Sequence, residues 1–267
     1  GRKEIARFSL EVIGGGRSIS EGLALAAARA ILQEVGYPNL MVGINSLGDK
    51  ECFTGFQRDV SAYVRKHIAT LCAHCRQETK KDVFAIFSCD NKHCRELADV
   101  APRSISHLHE DARQHFKEIL EYLEGMDIPY ELDHSLVGSS SHCFKTVFEI
   151  RALPEEIVGE ERPLVVSRGG RYDSLARRLG LKREVSAVGI TIECPATGSS
   201  RKDLTVRHKK TDIYFIQLGF EAKRRALELL ELLRQHNIAV MQSLSKDKLG
   251  TQLAVAEELK VPITLIV

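Results

Sequence analysis

Ser167-Arg168-Gly169-Gly170-Arg171-Tyr172-Asp173-Ser174-Leu175 lies between the short apolar run Leu164 to Val166 and a second run, Ala187 to Ile192, and its reading decides the fold. Leu164-Val165-Val166 has the β-branched character of a strand. Paired glycines after a strand mark either a positive φ or a surface approached too closely for a side chain. Tyr172 and Leu175 open a helical spacing that runs through Ala176 and Leu179 to a stop at Gly180. Arg168, Arg171 and Asp173 are thereby placed at a strand end, where α/β folds carry sites; a tight turn with an arginine paired to an acid is the plainer reading. Gly189 sits inside the second apolar strand, where glycine is unfavourable unless close packing or a ligand needs the space.

The 267 residues are 43% hydrophobic and 28% charged, the composition of a globular chain long enough for two or more domains. No run approaches a transmembrane span and no apolar leader follows a basic start, so a cytoplasmic protein without membrane contact is expected. A formal net charge of +2 permits a polyanionic partner without requiring one. Seven cysteines in such a chain point to thiols or a metal site before a disulfide scaffold.

Outward from the opening stretch, Ile5 to Val12 alternates as a strand with Phe8, Leu10 and Val12 on one face. Gly14-Gly15-Gly16 lacks the spacing of a phosphate loop and reads as a flexible turn. Ser20 is a candidate cap for a helix with Leu23, Ala27, Ala30 and Ile31 on its face, and Leu40 to Ile44 is the next strand. Helical spacing then takes over at Phe56, Val60, Tyr63 and Val64. From Pro102 an apolar stripe of Ile105, Leu108, Ala112, Phe116, Ile119 and Leu123 predicts another helix, with His107, His109 and His115 read as surface residues without an acidic partner. The last part alternates strand and helix: strands at Ile213 to Leu218, Ile238 to Met241 and Ile263 to Val267, and helices with Ala226, Leu229, Leu230 and Leu233, then Leu253, Ala256 and Leu259, facing inward. That βαβαβ order predicts a parallel sheet. The polar and basic run before it reads as a linker.

Cys72-Ala73-His74-Cys75 and Cys89-Asp90-Asn91-Lys92-His93-Cys94 are two short chelating loops. Tetrahedral zinc accepts four thiolates, and Cys72, Cys75, Cys89 and Cys94 are the expected ligands of a closed, structural zinc site. His74, His93 and His109 are the substitutes, and reduced thiols packed against helices are the alternative.

The order GGRYD, short helix, polar loop and AVGI resembles the third motif of the class II aminoacyl-tRNA synthetases in its histidyl form. Arg7 to Gly14 is similar to the second strand of that family's second motif, and Ile44 to Gly48 to its INSLG turn. The resemblance implies an α+β class II synthetase-like antiparallel core at 1–52 and 126–196. It further implies a mainly helical insertion at 53–125, a basic linker at 197–211 and an α/β anticodon-binding-like domain at 212–267. The family's first motif and its ATP-contacting arginine strand are expected upstream of Gly1, and further sheet beyond Val267.

Thr146-Val147-Phe148-Glu149 matches the tail of the histidyl signature, but the residues before it depart from the family. Gly138 stands at the position of the catalytic arginine, and Ser141, His142 and Cys143 replace its aspartate and paired tyrosines. Glu193-Cys194-Pro195-Ala196 replaces the run that ends in an ATP-holding arginine. Loss of one group that stabilises the α-phosphate in the transition state costs on the order of 2 to 5 kcal/mol. The resemblance therefore implies no catalytic residue and neither ATP nor histidine as ligand, with Glu11, Gly138, His142, Arg171 and Tyr172 as a pocket remnant. Lys246 and Lys248 are the expected nucleic-acid contacts, tRNA or a protein the expected partner, and a homodimer the expected assembly. An active histidine–tRNA ligase whose missing motifs lie upstream, and a regulatory subunit of histidine biosynthesis, are the alternatives.

Overall fold

The computed structural model describes residues 5–137, 145–153, 163–195, 210–244 and 247–267. Gly138, Ser141, His142, Cys143, Ala196 and Lys246 lie outside the described residues, as does nearly all of the linker.

Strand β1 (Ile5–Ile13) is followed by helix α1 (Ile19–Glu34), strand β2 (Leu40–Ser46) and helix α2 (Lys50–His67). Helices α3 (Ala73–Glu78) and α4 (Lys92–Asp99) flank a 3-10 segment at Val83–Ser88, and a second 3-10 turn at Ser104–His107 precedes α5 (Glu110–Gly125). Strands β3 (Tyr130–Leu132), β4 (Thr146–Ala152) and β5 (Leu164–Arg171), helix α6 (Leu175–Arg178) and strand β6 (Ala187–Pro195) return the chain to the first sheet. That sheet has the order β1-β6-β5-β4-β2-β3, antiparallel except for β2 with β3.

Strand periodicity separates the two faces. Leu10, Ile190, Phe148 and Ile150 join the core beneath α1 and α5, with Ala24, Leu25, Ala28, Leu32, Phe116, Ile119 and Leu123 from the helices. The most buried face of α1 is thus rotated from the expected Leu23, Ala27 and Ile31, which are only half-buried. An almost unbroken apolar run leaves the face unmarked in sequence, and the small alanines let this side lie close to the sheet. Ser20 is not the cap: Ser18 holds that position, and the Ser20 hydroxyl donates to the Gly15 carbonyl at 3.1 Å. The glycine turn is also pinned rather than flexible, because Gly15 and Gly14 both bond to the body of the protein.

Between α2 and α4 a second core forms from Phe56, Val60, Val64, Leu71, Phe84 and Ile86, and it meets the first sheet at Leu47 and Val147. The expected insertion 53–125 therefore divides by packing. Its early part has its own core, whereas α5 belongs to the layer under the main sheet.

The carboxy-terminal unit is βαβαβ: β7 (Ile213–Ile216), α7 (Gly219–Gln235), β8 (Val240–Gln242), α8 (Leu249–Glu258) and β9 (Ile263–Ile266), in the parallel order β8-β7-β9. On α7 the buried residues are Lys223, Ala226 and Leu227, while Leu229 is exposed. Leu227 packs against Tyr122 and Ile19, so this helix serves two neighbours and a single-stripe reading misses one of them. On α8, Gln252 and Ala256 are buried, and Leu253 and Leu259 are exposed. The Gln252 amide explains its own burial: it donates to the Gln217 carbonyl at 2.8 Å and accepts from the Gln217 N–H at 3.1 Å, standing in for a strand partner.

Candidate functional site

The face of the first sheet opposite α1 floors a cavity of about 730 Å³. Glu11 of β1, Gly189 and Thr191 of β6, Arg168 to Gly170 of β5, and Val147 to Glu149 of β4 form its floor. Register explains the selection, since Glu11 pairs with Gly189 and Gly189 with Gly170, while Thr191 pairs with Arg168 and Arg168 with Glu149. The opposing wall comes from α3 and the 3-10 segment through His74, Glu78, Asp82, Phe84 and Phe87.

Both glycine questions are answered by close approach. A Cβ on Gly169 would stand 2.3 Å from the Gly189 carbonyl oxygen and 2.5 Å from Phe148. A Cβ on Gly189 would stand 2.2 Å from the Glu11 carboxylate, whose Oε2 accepts from the Tyr172 hydroxyl. Gly189 thus leaves room for Glu11 to lie over the sheet.

Arg171 and Tyr172, adjacent at the end of β5, have separate fates. Tyr172 lines the cavity with Glu11. Arg171 turns into the helix layer, where it is fully buried and does not line the cavity, so it leaves the expected pocket set. Its Nε donates to Glu21 Oε1 at 2.7 Å and its Nη2 to Glu21 Oε2 at 2.5 Å, with further bonds to the carbonyls of Gly15 and Arg17. Asp173 accepts from Arg171 at 3.3 Å and from the Ala187 N–H at 3.0 Å, tying the turn to β6. Burial acts to raise the pKa of Glu21, but hydrogen bonds from His115 and Arg171 outweigh it and leave the carboxyl below its ordinary value.

The three histidines read as unpartnered surface residues each find an acid on another element. His115 lies 2.8 Å from Glu21, His109 2.8 Å from Asp49, and His107 3.5 Å from Asp59. Spacing along one helix cannot reveal partners from elsewhere in the chain. His109 caps α5 and Asp49 caps α2, and both line a wide concavity of about 830 Å³ beside Cys52. Asp49 and His109 already serve as helix caps, so we place the candidate site in the more enclosed cavity over the sheet.

Cys72, Cys75, Cys89 and Cys94 come together, their sulfurs all within 4.8 Å of one another. The Cys72 and Cys89 sulfurs are 3.8 Å apart. Backbone N–H groups of Cys72, Cys75 and Asn91 donate to the sulfurs of Cys94, Cys72 and Cys89 at 3.3, 3.4 and 3.4 Å. The Cys75 N–H leads the interactions that lower the Cys72 thiol to about 7, while burial pushes Cys75 and Cys94 up.

Lys248 is exposed at the start of α8. Its neighbour Asp247 binds the buried Lys223 at 2.5 Å and Arg17 of the first unit.

An antiparallel sheet backed by two helices, a cavity on its free face and an appended parallel α/β unit make up a class II aminoacyl-tRNA synthetase-like fold. Within that class its resemblance is to histidyl-tRNA synthetases. The chain is 27% identical to histidine–tRNA ligase of Clostridioides difficile (strain 630), with 100% of this chain and 63% of the relative covered. It is 28% identical to that of Fervidobacterium nodosum, with 100% and 62% covered. Apo histidyl-tRNA synthetase of S. aureus shares the fold at a TM-score of 0.55 and 22% identity, over 98% of this chain and 64% of that one. No family model matches. The chain therefore spans rather less than two thirds of the length of the curated relatives it matches. Among the described residues, no helix is long and apolar enough to cross a membrane.

Proposed function

We propose that this chain is a histidyl-tRNA synthetase-like protein that does not activate histidine and that acts by binding tRNA. The charge of the cavity carries the first half of this reading. Among the described lining residues, Glu11, Glu78, Asp82 and Glu149 face a single guanidinium, that of Arg168, which lies 3.5 Å from Glu149. Glu149 is further held by Arg151 at 2.6 Å, and Arg171 is committed to Glu21 on the other side of the sheet. Phosphoryl chemistry needs cationic groups around the phosphates as charge develops, and this lining is acidic. It suits an amine or another cationic group better than a nucleotide triphosphate.

The second half rests on the similarity to proteins named as histidine–tRNA ligases and on the retained α/β unit with Lys248 exposed at a helix start. A homodimer is the assembly expected of such a protein. A cytoplasmic location is part of the same reading. Binding of tRNA should weaken linearly in log affinity against log salt, reporting phosphate contacts. Absent or salt-independent binding would remove tRNA as the partner.

A further inference from the structure

We propose that Cys72, Cys75, Cys89 and Cys94 hold one zinc ion, and that this ion fixes the wall of the cavity. The geometry carries the first claim. With Zn–S bonds of about 2.3 Å, the edges of a tetrahedron of sulfurs measure roughly 3.8 Å. The Cys72–Cys89 separation is 3.8 Å, and all four sulfurs lie within 4.8 Å of each other. Two disulfides would divide the sulfurs into two bonded pairs; four mutually close sulfurs describe a single coordination shell. Three backbone N–H groups donate to sulfur, the hydrogen-bond donor environment that suits thiolates, and form the second coordination sphere that orients them. Four protein ligands close the shell, so the ion would be structural. Binding of Zn²⁺ displaces the protons of the four thiols to solvent, and no redox change is involved.

The second claim follows from where the ligands stand in the chain. Cys75 precedes and Cys89 follows the segment that supplies Glu78, Asp82, Phe84, Ala85, Phe87 and Ser88 to the cavity. The ion would therefore clamp both ends of one wall. Phe84 stacks with Phe56 of α2 and Phe87 lies tilted against it, carrying the clamp into the apolar core of this module. The cavity floor, built from four strands of the first sheet, has no covalent or coordinate link to this site and should be indifferent to the metal.

Metal analysis of the chain purified without added metal should return one zinc per chain, and cobalt substitution should give the visible absorption of a tetrahedral tetrathiolate. Cys89→Ser should lose the metal, whereas Cys52→Ser, outside the cluster, should retain it. Hydrogen exchange then tests the clamp without any cavity ligand: on chelation, amides of residues 76–88 should exchange faster by roughly tenfold or more, with β4, β5 and β6 unchanged. Folded protein carrying no metal, or iron in place of zinc, would overturn the zinc assignment. Metal loss with unchanged exchange across residues 76–88 would overturn the clamp. Should Cys89→Ser not fold, cobalt spectra and chelation of the unaltered chain decide both claims. Neither readout depends on tRNA binding or on the absence of histidine activation.

Discussion

Arg171 and Glu21, 150 residues apart in sequence, form a two-pronged ion pair with both side chains fully buried. His115 and Thr146 also reach the Glu21 carboxylate, so one acid on α1 gathers α5, β4 and β5. A buried pair of this kind is costly to break because removing one partner leaves the other charge unpaired. Arg171→Met should lower stability by about 3 to 5 kcal/mol in chemical denaturation. A loss under about 1 kcal/mol, the range of exposed pairs, would contradict the role given to it.

The same pair sets a pH dependence. The folded-state pKa of Glu21 is depressed, so its contribution is present above the ordinary carboxylate pKa and is lost as pH falls through the depressed folded value. Acid titration of stability should be steeper for the unaltered chain than for Glu21→Gln. Parallel curves would mean that other acids dominate.

Gly169 and Gly189 should respond differently to alanine. At Gly169 the added methyl meets the backbone oxygen of Gly189, which cannot move without distorting the sheet. Gly169→Ala should cost at least about 1 to 3 kcal/mol, the range for overpacking. At Gly189 the neighbour is the end of the Glu11 side chain, which can swing away. Gly189→Ala should cost less and should displace Glu11 from Tyr172, seen as loss of their hydrogen bond in a crystal structure of the variant. Equal losses at both positions would contradict this distinction.

Asp49 and His109 form a linked pair of caps. Burial would raise the Asp49 pKa, but the Cys52 N–H and His109 outweigh it and hold the carboxyl at about 2. Its contribution is present above the ordinary value of 3.8 and is lost as pH falls toward about 2. His109 is raised by Asp49, so its share is present below 6.5 and is lost as pH rises through its elevated folded value. Asp49→Ala should cost about 1 kcal/mol. His109→Gln should cost more in mildly acidic than in alkaline buffer, and the reverse order would refute the pairing.

Leu227 joins the two units by packing on Tyr122 and Ile19. Leu227→Ala should cost about 2 to 5 kcal/mol and should separate the calorimetric unfolding of the α/β unit from that of the first sheet. A single transition shifted as a whole would show that the units stay coupled through their other contacts, among them Arg17 with Asp247, Arg234 with Glu34 and Phe220 with Tyr122.

Much of this architecture is legible from local pattern. Alternation at Phe8, Leu10 and Val12 identifies β1, and the βαβαβ order of the last part follows from its periodicity. The four cysteines announce their own meeting because the CxxC loop allows few other geometries. Arg171 is different: a strand of period two sends it and Tyr172 to opposite faces, and only the fold tells which face carries Glu21. Leu227, Gln252 and the acid partners of the histidines escape for the same reason, since each is chosen by an element distant in sequence. The concentration of carboxylates in the cavity is likewise invisible until α3 and the 3-10 segment are folded over the sheet.

Histidine-dependent exchange of pyrophosphate into ATP tests the central claim most directly, because it reports amino-acid activation without requiring tRNA. The acidic cavity and the burial of Arg171 predict a rate indistinguishable from that without histidine. Exchange well above that background, lost on substitution of Glu11 or Tyr172, would contradict the account and identify the cavity as a working activation site.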